Sequence, residues 1–132
     1  MRDRPSLTSA DVKKMLAACE AEAVKNKWNV SIAILDDGAH LLGFHRMDGC
    51  PPSAAKVSIG KATTSALTCR PSKFFEDRVK ERPAFVTFPA GTLTQGALPI
   101  MHRNECVGAI GVSGVQSHED EQIAHAGVNA LG

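Results

Sequence analysis

Three glycines punctuate one apolar run, Val107-Gly108-Ala109-Ile110-Gly111-Val112-Ser113-Gly114, and no other segment constrains the fold as tightly. Its valines and isoleucine favour a strand, while each glycine weakens that strand through backbone entropy and a missing side chain. Something is therefore expected close against this strand, either a close-packed helix or a ligand. Separately, Ser53-Ala54-Ala55-Lys56-Val57-Ser58-Ile59-Gly60-Lys61-Ala62-Thr63-Thr64-Ser65-Ala66 has low bulk and lets another backbone approach closely, as a tight helix interface needs. We read it as a helix from Ser53, a capping residue, to Leu67.

The remaining elements follow from periodicity. Thr8-x-x-Asp11 has the form of a capping box, and Val12, Met15, Leu16, Cys19 and Ala23 then mark one face of a helix over Ser9–Lys25. Val30 to Leu35 alternates β-branched residues, putting Val30, Ile32 and Ile34 on one face. Asp37-Gly38 offers positive-φ turn chemistry before a second strand over His40–Met47. There Leu42, Phe44 and Arg46 share one face, and Leu41, Gly43, His45 and Met47 the other. Arg70-Pro71-Ser72 ends the small-residue helix and caps a short one, Lys73–Val79. Arg82 to Leu98 reads as an apolar loop. Leu98–His102 and Cys106–Val112 form a last strand pair, and Ser117-x-x-Asp120 opens a final helix with Ile123, Ala126, Gly127 and Ala130 inward. Tight turns between neighbouring strands predict an α/β (α+β) fold: an antiparallel sheet with helices packed on it, and no parallel Rossmann sheet.

Composition narrows the function classes. A chain of 132 residues suits one domain over 1–132, and a net charge of +1 gives no whole-molecule field for nucleic acid or an anionic membrane. No apolar run approaches a membrane span and no signal segment opens the chain, so a cytoplasmic protein is expected, without nucleic-acid or membrane partners. Cys19, Cys50, Cys69 and Cys106 lie 31, 19 and 37 residues apart, with no paired spacing for zinc; they are read as free thiols, and no metal site is assigned. His118-Glu119 lacks the second histidine of a zincin, since position 122 is Gln122. Ser113 lacks the closing glycine of a nucleophile elbow, and Gly60-Lys61 lacks the earlier glycine of a Walker loop.

Several motifs remain, in order: Phe44-His45-Arg46-Met47-Asp48-Gly49, the Lys61-Ala62 helix, Phe88-Pro89-Ala90-Gly91, Leu98-Pro99-Ile100, the glycine-punctuated strand and Glu119-Asp120-Glu121. Together they resemble the GlcG/HbpS-like family, also called the haem-degrading domain family and related to the C-terminal domain of PduO proteins. The resemblance runs from about Leu7 to Leu131. This sequence departs from the family's Phe-Pro-Gly-Gly at Ala90, and Thr92 to Ala97 lengthens the approach to Pro99.

The resemblance implies a profilin-like sandwich, a homo-oligomer and, in some members, bound haem or another tetrapyrrole. A haem site needs an apolar slot, cations for the propionates and an axial ligand. Phe44, Met47, Phe85 and Phe88 can form walls, and Arg46 and Lys61 can supply charge. The axial ligand stays open among His45, His102, Met47 and a cysteine. The expected ligand-binding set is Phe44, Arg46, Met47, Asp48, Lys61, Phe88, Gly91 and Pro99, with Arg46 and Lys61 facing one cleft. Against this, Arg46 could instead fix its turn through Asp48, and Lys61 could be a snorkelling lysine. Three function classes stay open: a small-ligand or tetrapyrrole binder; an enzyme acting on a small organic acid or aromatic-ring breakdown product, with Lys61, Asp48 or Glu121 transferring protons; and a structural or accessory oligomer. No catalytic residue is assigned.

Overall fold

The computed structural model describes residues 1–131. Helix α1 (Ser9–Lys25) is followed by strands β1 (Ser31–Asp36) and β2 (Leu41–Arg46), then helices α2 (Pro52–Thr68) and α3 (Ser72–Glu81). A 3-10 turn, Pro83–Thr87, leads to β3 (Ala97–His102), β4 (Glu105–Ser113) and α4 (Ser117–Asn129). The four strands form one antiparallel sheet in the order β2-β1-β4-β3.

The order explains the burial. β1 and β4 are central and almost wholly buried, whereas the edge strands β2 and β3 are partly exposed. Val30, Ile32 and Ile34 meet Val12, Met15, Cys19 and Ala23 of α1 and Ile123 and Ala124 of α4 on one face. Ala33, Leu35 and Ala109 meet Ala62 and Ala66 of α2 on the other. The sheet is thus sandwiched between an α1/α4 layer and α2, as the expected α+β architecture requires.

The close approach predicted at the glycine-rich strand is made by α2. A Cβ on Gly111 would land on the Ser58 carbonyl oxygen and on the Ala62 backbone nitrogen. Any side chain there would push the helix off the sheet.

Local signals resolved differently at several ends. The β1–β2 turn places its left-handed residue at Ala39 (φ 66°), not at Gly38. Asp36 explains this: its carboxylate accepts from the Gly38 and His40 amides, building a three-residue loop whose last residue must be left-handed. Ser53 and Ser72 do not cap their helices; Pro51 and Pro71 occupy the cap positions, and the Ser72 hydroxyl accepts from Ala97 N–H. At α4 the capping box joins Gln116 and Glu119, one residue earlier than Ser117-x-x-Asp120. The inward face of α4 is Asp120, Ile123, Ala124 and Gly127; Ala126 and Ala130 are only half-buried.

Candidate functional site

Lys61 sits in the middle of α2 and is 3% exposed. Its Nζ donates to Asp120 Oδ2 at 3.0 Å and to the Val112 carbonyl at 3.1 Å. Room for the ammonium comes from Gly96, whose φ of 140° and missing Cβ leave space that a side chain would take from Nζ. Asp120 completes the clamp by accepting from Val115 N–H through Oδ1 at 3.2 Å. Burial raises the Asp120 pKa above the ordinary carboxylate value, and the Lys61 charge and hydrogen bond oppose that rise. The pair ties α2, β4 and α4 together, with both side chains about as buried as the apolar core.

Arg46, at the end of β2, donates through Nε and Nη2 to the Cys50 carbonyl at 3.3 and 3.1 Å. It therefore fixes the turn into α2 through a backbone oxygen. With Met47 and Asp48 it lines a cavity of about 320 Å³, shared with Glu20, Asn29 and His45. His45 Nε2 lies 3.6 Å from Glu20. Arg46 is on edge strand β2 while the Lys61 ammonium lies against β4, with β1 between them.

The other expected residues are dispersed. Phe44 is half-buried and packs against the small cluster that joins β1, β4 and α2. Phe88 stacks on Phe75 and Phe85 at 5.2 and 5.1 Å between ring centroids. Gly91 donates its N–H to Thr64 Oγ1 at 3.0 Å, closing the loop over α2. Pro99 lies in β3 opposite Ala109, at the sheet edge where a missing amide is tolerated. Glu121 Oε2 accepts from Gln95 Nε2 at 3.2 Å.

A larger cavity, about 630 Å³, opens elsewhere. The segment ahead of α1, the β3–β4 hairpin and the end of α4 form it. Leu7, Ile100, Met101, Val107, Val128 and Leu131 give apolar wall, and Asp11, His102 and Arg103 the charge. None of the eight expected ligand-binding residues lines it, although His102 is one of the four axial candidates. Arg103 and Asn104, at φ 52° and 64°, form the two-residue hairpin turn, a left-handed pair without glycine. Asp11 is held below its usual carboxylate range by the Thr8 backbone and side-chain hydrogen bonds of the α1 cap.

With the geometry in place, comparison with known proteins gives the family. Residues 7–129 match the family model described as "Haem degrading protein HbpS-like", and the chain belongs to that family. Protein GlcG of Escherichia coli strain K12 is 44% identical over 114 residues, covering 86% of this chain and 85% of that protein. The Streptomyces reticuli HbpS double mutant superposes with a TM-score of 0.92 at 28% identity, covering all of this chain and 91% of the other. A PduOC complex with haem has the same fold, with a TM-score of 0.87 at 18% identity over 96% of this chain and 95% of that one.

Proposed function

We propose that this protein binds haem or another tetrapyrrole in the cavity between the segment ahead of α1, the β3–β4 hairpin and α4. One observation carries the reading: apolar walls, an arginine and a histidine converge on a single cavity of about 630 Å³, within the size range of small-molecule sites. These are the three things a haem site needs, and they agree with the description of the family. His102 would offer an imidazole to iron and Arg103 a guanidinium to a propionate, while Leu7, Ile100, Val107 and Val128 would cover the macrocycle. When bound, the haem would supply iron whose reactivity depends on the axial ligand and on water access.

The proposal includes self-association. Edge strand β2 exposes Leu41 and Leu42, at 54% and 41%, and α2 exposes Leu67 at 51%. A second copy would cover them. No helix among the described residues is long and apolar enough to cross a membrane. The four free cysteines suit a reducing compartment, and we place the protein in the cytoplasm.

Titrating the purified protein with haem while recording the Soret band tests the site. A saturable band that shifts or disappears in His102→Ala, and persists in Arg46→Ala, supports it. A band lost in Arg46→Ala and kept in His102→Ala moves the ligand to the smaller cavity beside Asp48. With no saturable band, the tetrapyrrole reading fails and an enzyme or accessory oligomer takes its place.

A further inference from the structure

The chain has four free cysteines, and two of them, far apart in sequence, lie at the same end of α2. Cys69 is the C-cap of that helix, exposed, and held in the left-handed region at φ 58°. Cys106 is buried near the start of β4, its Sγ 3.9 Å from the carbonyl of Ala66, one turn before Cys69, and 3.5 Å from that of Gly108. The Cys106 thiol thus lies against the last turn of α2, the turn that Cys69 caps. Cys19 and Cys50 are buried elsewhere: Cys19 lies in the α1/α4 layer, and the Cys50 thiol lies against Ser31 at 3.3 Å.

We propose that Cys69 and Cys106 form a reversible thiol–disulfide site, oxidised by small-molecule disulfides, that staples the end of α2 to β4. Exposure decides the order of events. Burial and the neighbouring Cys69 thiol push the Cys106 thiol up to about 11, so it is protonated at neutral pH and poorly reactive on its own. Cys69 is the accessible nucleophile. Its thiolate attacks one sulfur of a disulfide RSSR, forming a mixed disulfide and expelling RS⁻, which takes up a proton. Cys106 then gives up its proton, attacks the Cys69 sulfur and expels the second RS⁻. The protein loses two hydrogens with their electrons, and RSSR becomes two RSH. The second step is intramolecular and needs no access from solvent.

The staple would lie next to the hairpin turn. Met101 pairs with Cys106, and Arg103 and Asn104 follow two residues on from Met101. Oxidation would therefore fix the strand that carries the turn to a helix on the opposite sheet face.

Incubating the full chain with graded oxidised and reduced glutathione, quenching with acid and alkylating in denaturant reads the state of every thiol. We expect oxidation to leave Cys19 and Cys50 alkylatable, to join the peptides carrying Cys69 and Cys106 under non-reducing conditions, and to reverse with dithiothreitol. Thermal unfolding of the oxidised form should move upward. Cys69→Ser, an exposed change that spares the core, should leave Cys106 alkylatable at every ratio. Cys106→Ser, if it folds, should hold glutathione on Cys69. The proposal is overturned if wild type stops at glutathione on Cys69 with Cys106 free, or if Cys69 links only to Cys69 of a second chain.

Discussion

Replacing Lys61 with Met separates a structural clamp from a binding residue. The substitution keeps most of the buried volume and removes the ammonium, leaving Asp120 with one hydrogen bond, from Val115, inside a site where both side chains are nearly inaccessible. Breaking a buried ion pair by deleting one partner costs about 3–5 kcal/mol, most of it the cost of the charge left behind. For a chain of this size that corresponds to a fall in Tm of roughly 10–20 °C. The pH dependence follows from Asp120. Its folded pKa already lies above the ordinary value because of burial, and Lys61 is what restrains it. Without Lys61 the folded value rises further. Between the unfolded pKa of about 3.9 and that raised value, the folded state holds a proton that the unfolded state has released. Stability of the variant therefore falls as pH rises through this window, and its deficit against wild type shrinks on acidification. Urea melts followed by circular dichroism at several pH values would show this, and Lys61→Met/Asp120→Leu should regain much of the loss. If Lys61→Met instead melts within about 2 °C of wild type while haem binding weakens, the clamp reasoning is refuted and Lys61 becomes a ligand contact.

Other expectations follow from the same geometry. Gly111→Ala should destabilise by about 3 kcal/mol or more, measured by chemical denaturation, because its Cβ would meet the α2 backbone and not a side chain that can turn away. Arg103→Gly should relax the left-handed turn and stabilise the fold by a few tenths of a kcal/mol to about 1, while weakening ligand binding about tenfold or more; unchanged binding would remove Arg103 from the site. Brief alkylation of the native reduced protein should label Cys69 first. Cys19, pushed up to about 12 by burial, should react only on unfolding, and early labelling there would contradict the packing of α1 on α4.

At α1 the sequence and the structure agree. The capping box at Thr8 and the apolar face through Ala23 describe α1 as it stands, since each signal lies within one or two helical turns. The glycine-punctuated strand announced a close partner, and the small residues of α2 are that partner, because a missing Cβ on one side requires little bulk on the other. Elsewhere tertiary demands prevailed. Ala39 takes a left-handed conformation that its propensity disfavours because the Asp36 carboxylate organises the loop around it. Asp120, legible only as a charge in the first turn of a helix, turns inward to Lys61, and nothing local marks a partner 59 residues away. The candidate cavity was the least legible feature. Its walls come from Leu7, from the β3–β4 hairpin and from the end of α4, pieces that share no spacing or motif and meet only because the sheet order brings β3 to an edge beside α4 and the segment ahead of α1. By sequence alone His102 is one histidine among several. What separates it from His45 is its company: His45 stands across from the Glu20 carboxylate in a small polar cavity, whereas His102 shares a larger one with Asp11, Arg103 and an apolar wall. Net charge, close to zero over the chain, hides that contrast, because recognition at either cavity depends on which few charges the fold has left beside apolar surface.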